Sequence, residues 1–205
     1  MAKDSNSVKI GDRSYHHGAL APALIAAAEA VIAERGVDGF SLRETARRAG
    51  VSPSAPAHHF GDARGLLTAI ATAGFVALGD ALEAADASGT REERMRAQGF
   101  AYVRFALSHR ARFDVMWRAA LLDQADEALQ AAGRRAFGLL DRAVRGEGAV
   151  HCGPADPAVA PSIACWSMVH GFARLAIDGA FGTEPQAADH AADAMLAAVL
   201  DQLKV

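Results

Sequence analysis

The sequence predicts an all-α protein: a three-helix head carrying a helix-turn-helix, followed by a larger helical body, about nine helices in all. Three observations carry this prediction. Phe40 to Leu67 packs two helix starts and two helix stops into one short stretch. Asp62 then opens a run of apolar residues at helical spacing long enough to link two bodies. No segment alternates apolar and polar residues as a half-buried strand does, and Ala dominates while aromatic residues are only 6%.

The first helix runs from His17 or Gly18 to Arg35, with Leu20, Leu24, Ala27, Ala28 and Val31 at helical spacing and Gly36 as its stop. Ser41 and Glu44 form the pattern of a capping box, in which hydroxyl and carboxylate each satisfy an end amide of the second helix. Leu42, Thr45, Ala46 and Ala49 share one face of that helix, and Gly50 ends it. Ser52 is the expected cap of the third helix, with Pro53 at its first position, where the missing N–H costs nothing. Phe60 closes this helix apolar side down, Gly61 breaks it, and Asp62 caps the fourth. Two short helices joined by a tight turn are the common way to aim a helix at the DNA major groove.

What these helices carry outward separates a DNA-binding element from a hairpin that only packs. Ser52, Ser54, His58 and His59 are short hydrogen-bonding side chains, and Arg43, Arg47 and Arg48 precede them. A purely structural surface helix more often carries Glu and Lys pairs. Serine hydroxyls suit phosphate or base edges, and Ala55 suits a thymine methyl. His59 fits either a phosphate contact or a brace within the head. Arg43 is expected to reach phosphate, whereas one of Arg47 and Arg48 belongs to a solvated face.

In the body, Leu66, Leu67, Ile70, Gly74, Phe75, Leu78 and Leu82 hold the apolar face of a helix from Asp62 to about Ala85, roughly 36 Å long. Further helices are expected from Arg91 to His109–Arg110, from Arg112 to Leu122, and from Asp123 to Gly146. Glycines and prolines mark residues 146–161 as a loop, and the last two helices span about Pro157 to Gly179 and Pro185 to Leu203.

Composition narrows the function. The chain carries 21 Lys and Arg against 24 Asp and Glu, a net charge of −3, which argues against a general nucleic-acid coat. Residues 1–65 hold eight basic against seven acidic side chains, so the weakly basic end is the head. The polar start has no signal peptide pattern, and the apolar run Ala19 to Ala28 is too short to span a bilayer. These features predict a soluble, cytoplasmic protein with no membrane partner. Lys3, Lys9 and Arg13 offer either phosphate and minor-groove contacts or an untidy tail. Two cysteines, Cys152 and Cys165, suit reduced buried thiols, and His151 beside Cys152 lacks a second ligand pair. No catalytic triad, metal-ligand spacing or Gly-rich phosphate loop appears, so no catalytic residue, metal or cofactor is expected. A helical enzyme or cofactor carrier using His151, Cys152, His170 and Asp178 is the competing class.

The order of parts resembles the tetracycline-repressor (TetR) family of one-component regulators. The resemblance rests on the capped head, Arg47-Arg-Ala-Gly-Val-Ser-Pro53, His58-His-Phe60, and Gly61-Asp62 opening a long helix. It covers residues 17 to about 70 closely. Trp166-Ser-Met-Val-His170-Gly171 is similar to the Trp-x-x-x-His-Gly pattern of one subclass of C-terminal domains. The resemblance implies a DNA-binding domain at 15–61 and a ligand-binding and dimerisation domain at 62–205. It implies a homodimer joined through the last two helices, and a repressor released from a near-palindromic double-stranded operator by a small-molecule effector. Relatives usually carry Tyr where this chain has Ala57 and Lys where it has Ala63, with Arg64 beside it. Both missing residues are phosphate contacts in the family, and each loss flattens the salt dependence of binding by about one unit.

The expected DNA-facing set is therefore Ser41, Arg43, Arg47, Ser52, Ser54, Ala55, His58, His59 and Arg64. Candidates for a ligand pocket are Phe75, Phe100, Val103, Phe113 and Met116 in the first half of the body. Trp117, Phe137, Trp166 and His170 complete them. Their apolar character predicts an apolar or aromatic effector. Trp166 and His170 lie one helical turn apart, and His170 fits either a polar anchor for that ligand or a histidine satisfied by a neighbouring helix.

Overall fold

The structure, a computed structural model, describes residues 17–86, 89–149, 155–182 and 185–202. Among them are nine α-helices and no strand. The head comprises α1 (His17–Arg35), α2 (Leu42–Arg48) and α3 (Ala55–Phe60). The body comprises α4 (Ala63–Ala85), α5 (Arg91–Ser108), α6 (Arg110–Met116), α7 (Glu127–Arg145), α8 (Ala160–Ile177) and α9 (Pro185–Leu200). Lys3, Lys9, Arg13, His151, Cys152 and Leu203 lie outside the described residues.

α4 is the axis of the molecule. Its N-cap Asp62 accepts a hydrogen bond from the Gly65 amide at 2.8 Å, which satisfies one of the orphan donors of the first turn. α3 and α1 pack on its first turns, and α5, α6 and α7 surround the remainder. α8 packs on α5 and α7, and α9 closes over α5 and α8. By length and composition α4 would also reach across a bilayer, but half of that stretch is buried inside the protein. One apolar core runs through both parts, from Ala28, Ile32 and Val37 in the head, along Leu66 and Ile70, to Leu196 and Leu200.

Several boundaries differ from the sequence prediction. Glu44 completes only half of the expected capping box. Its amide donates to Ser41 Oγ at 3.5 Å, while its carboxylate is taken up by Arg47 and Arg48. A complete box stands instead at Thr90 and Glu93, opening α5. α3 starts at Ala55 rather than Pro53, because residues 52–54 form a turn closed by the Ala55 amide on the Ser52 carbonyl. The helix expected over 112–122 is two pieces. α6 begins at Arg110, with only His109 between it and α5, and it stops at Met116, before a 3₁₀ turn at Ala119–Leu121. α7 begins at Glu127 because Asp126, not Asp123, supplies the cap, accepting from the Leu129 amide at 2.7 Å. The segment Pro157–Val159 is 3₁₀ and leads into α8.

Candidate functional site

The head presents one polar face. Gly50, at φ +67°, turns the chain between α2 and α3 where a side chain would be strained. Pro56 is buried and Phe60 packs on the core, which fixes α3 with its opposite side toward solvent. Ser52, Ser54, His58 and His59 are exposed on that side, and Ala55 is half-buried. His59 also stands edge-on to the Phe60 ring, 4.7 Å between centroids. Ser41 is half-buried at the end of α2 and serves as its cap.

The arginines divide by partner. Arg48 donates to Glu34 and Glu44 and is only 19% exposed, so it stitches α1 to α2. Arg47 also pairs with Glu44, at 2.8 Å, but remains 69% exposed. These two guanidiniums hold the Glu44 carboxyl down at about 2. Arg43 is exposed and has no ion-pair partner among the described residues. Arg64, in the first turn of α4, is exposed and reaches the Ala120 carbonyl at 3.5 Å. Ala57 and Ala63 are both exposed.

Within the body lies a cavity of about 60 Å³. Phe75, Leu78 and Leu82 of α4 form one wall, and Gly133, Ala136, Phe137 and Leu140 of α7 form the facing one. Tyr102 of α5, Trp117 at the end of α6 and Trp166 of α8 close it. Phe75 and Trp117 meet edge to face at 5.2 Å, and Trp117 and Trp166 lie 5.2 Å apart. The Nε1 of Trp117 is buried without a hydrogen-bond partner, whereas the Trp166 Nε1 donor is taken up by the Tyr102 hydroxyl.

Of the nine pocket candidates, Phe75, Trp117, Phe137 and Trp166 line this cavity. Val103, Phe113 and Met116 are buried in the core around it. Phe100 points elsewhere, its ring lying beneath the guanidiniums of Arg96 and Arg104. His170 sits behind the wall. Its Nδ1 lies 2.9 Å from the Tyr102 hydroxyl, which also accepts from Trp166 Nε1 at 3.2 Å. The Tyr102 hydroxyl thus ties Trp166 of α8 and His170 one turn further on to the middle of α5. Burial, then the nearby Arg174 charge, keeps the His170 pKa below 6.5, and burial raises the Tyr102 phenol. Tyr102, Leu78, Leu82, Gly133, Ala136 and Leu140 are not among those candidates: aliphatic and small residues on a helix face read only as core, and nothing in the spacing marks Tyr102.

Head and body touch through more than α4. The Arg112 Nε of α6 donates to the Glu29 carboxylate of α1 at 2.5 Å, and Arg118 Nη1 donates to Asp38 at 2.9 Å. The Asp123 amide donates to Thr68 Oγ1 of α4 at 2.9 Å, and that hydroxyl donates to the Arg64 carbonyl. α6 thus carries a cavity wall at one end and the link to the head along its length.

The family model of bacterial regulatory proteins of the tetR family matches residues 24–70, and that of tetracyclin repressor-like C-terminal domains matches residues 95–199. A protein of unknown function from Rhodococcus sp. RHA1 is 36% identical, over 93% of this chain and 98% of that one, with a TM-score of 0.70. A tetR-family bacterial regulatory protein from Rhodococcus RHA1 is 23% identical over 90% and 96% of the two chains, with a TM-score of 0.67. AibR, solved in complex with isovaleryl coenzyme A and operator DNA, shares 18% identity over 86% and 95%, with a TM-score of 0.63. The comparison with curated proteins gives no match.

Proposed function

The chain belongs to the tetR family of bacterial regulatory proteins and is a DNA-binding transcriptional regulator rather than an enzyme, and from that premise we propose that it is a repressor released from a near-palindromic operator by an apolar small molecule. The observation that carries this reading is the course of α4: it begins at Asp62 against the recognition helix and forms a wall of the aromatic cavity at Phe75, Leu78 and Leu82. A cavity of about 60 Å³ is small beside the roughly 300–1,000 Å³ of drug-sized ligand sites, so an effector must widen it. Widening that moves the α4 or Trp117 wall, rather than α7 or α8, pulls on elements fastened to the head. The fold itself accommodates both kinds of partner, since AibR was solved with acyl-coenzyme A and operator DNA together.

Two heads are required to read a near-palindrome. On α8, Ala164, Ser167, Gly171 and Leu175 form one exposed stripe, and Ala194, Met195 and Ala198 are exposed on α9. Small residues flanking two large apolar ones support a homodimer seam of four helices. Arg43, Ser52, Ser54 and His58 are the DNA contacts we assign, with Arg47 and Arg64 on phosphate and Ala55 on a base methyl. The protein acts in the cytoplasm, where its operator is.

Selection of bound sequences from random duplexes, at two salt concentrations, tests the proposal. It is expected to return a near-palindrome with half-sites about 34–36 Å apart. Enrichment no better than bulk DNA, unchanged by Arg43→Ala and His58→Ala, would overturn it. In sedimentation, Leu175→Glu is expected to shift the protein from dimer to monomer.

A further inference from the structure

Beside the aromatic cavity lies a second, smaller one of about 20 Å³, room for a single water-sized group. Tyr102 and Leu140 line both, so they form the partition between the two. The annex is mostly apolar, bounded by side chains such as Met95, Val144 and Val169, with Cys165, Tyr102 and Gln98 as its polar members. Gln98 is 4% exposed, lines the annex, and has no hydrogen-bond partner for either its Oε1 or its Nε2. Buried polar side chains are paired in the great majority of native proteins, and an amide orphaned at both ends is a group kept for an occupant.

The helix makes this position informative. Met95, Gly99, Tyr102 and Ala106 set the inward face of α5, and Gln98 falls within it where an apolar residue would pack without cost. Neither cavity is lined by an Asp, Glu, Lys, Arg or His, and the guanidinium beside the annex, that of Arg91, donates to the Val144 carbonyl. An ionised ligand group would find no counter-charge in either lining, which disfavours a free carboxylate or ammonium on the buried part of the ligand.

We propose that the effector is an uncharged molecule with a compact apolar body and, at one end, an adjacent hydrogen-bond donor and acceptor — a carboxamide, lactam or imide edge — and that Gln98 recognises this end by accepting from its N–H and donating to its carbonyl. This inference rests on the ligand-cavity reading above and adds the chemistry of the ligand. The apolar body lies among Phe75, Phe137 and Trp166, and the amide end reaches between Tyr102 and Leu140 into the annex, which must widen with the main cavity to admit it. The unpaired Trp117 Nε1 offers a further donor to a second acceptor on the body.

The chain's two tryptophans, Trp117 and Trp166, both line the main cavity, so their emission reports on its occupancy. The full-length protein is titrated with three matched series: benzamide and phenylacetamide, their carboxylates, and toluene and ethylbenzene. The expected result is that the amides bind about tenfold or more tightly than either other series. Gln98→Met is expected to remove that preference while leaving toluene affinity within about twofold, and Gln98→Leu to do the same, with circular dichroism confirming the fold. Alkylbenzenes that bind while the amides gain nothing, or amide affinity unaltered in both variants, would overturn the role of Gln98 and leave the cavity reading standing. Preference for the carboxylates would overturn the uncharged ligand. No change in emission with any of the series would overturn the cavity reading and this inference together.

Discussion

The Tyr102 hydroxyl lies 2.9 Å from Nδ1 of His170, and this hydrogen bond sets an imidazole directly behind the cavity wall. Protonating His170 would place a cation in a half-buried site near Arg174. Because the folded-state pKa lies below the ordinary 6.5, the unfolded chain binds the proton more readily, and stability rises with pH through this window. The contribution is fully present above about 6.5 and is lost as pH falls through the folded-state value. Urea unfolding between pH 7.5 and 5 is expected to show this decline, and His170→Gln to flatten it. A slope equal in both proteins would show that His170 is not responsible.

Glu44 holds Arg47, which we assign to phosphate, and Arg48, which stitches α1 to α2. Replacing it with Gln leaves the Ser41 cap, which uses only the Glu44 amide, and releases Arg47 from its partner. We expect Glu44→Gln to bind duplex DNA more tightly and to steepen the dependence of log affinity on log salt by about one unit. Fluorescence anisotropy over a salt series measures both; weaker binding would count against phosphate contact by Arg47.

Two glycines should respond oppositely to a methyl group. A Cβ at Gly65 would lie 1.9 Å from the Phe60 carbonyl, so Gly65→Ala must push α3 off α4. A loss of about 1–3 kcal/mol is expected in denaturant unfolding, with operator binding reduced. At Gly133 nothing lies within 4 Å, and the added methyl enters the cavity. Gly133→Ala should gain about 0.5–1 kcal/mol from helix propensity and weaken ligand binding.

Arg112 and Glu29 join α6 to α1 and belong to neither surface that contacts a partner. Arg112→Met is therefore expected to retain operator affinity in the ligand-free protein while blunting release by ligand. Equal release in the two proteins would move the coupling to α4 alone.

The head was the more legible half of the sequence. Gly36, Gly50, Gly61 and Asp62 are local signals, and local signals fix α1 and the start of α4 wherever tertiary packing agrees. Ser41 with Glu44 and Thr90 with Glu93 spell the same capping pattern, yet only the second closes the box. The difference lies in Arg35, Arg47 and Arg48, which draw the Glu44 carboxylate away. α6 was misread for a similar reason. No glycine or proline marks its end at Met116; the packing of Trp117 among Phe75, Phe113 and Trp166 does.

In the cavity, large aromatics at helical spacing could be picked out, but whether each lines a space or fills one depends on the helix opposite. Phe100 turned to arginines, and Gly133 and Ala136 line the cavity by being small. Gln98 did carry a signal: a polar residue on the inward stripe of α5.

The unbroken core from Ala28 to Leu200 bears on how such regulators can be re-engineered. A reading head is portable between proteins only if it closes on its own apolar surface. Here Ile32 and Val37 share their burial with Leu66, Leu67 and Phe113, so a graft at Asp62 must bring along the faces of α4 and α6 that cover them. Chimeras that exchange residues 17–61 alone would melt in two steps and lose effector control. Those that also exchange 62–71 and 110–118 would keep a single transition and inherit the donor's response.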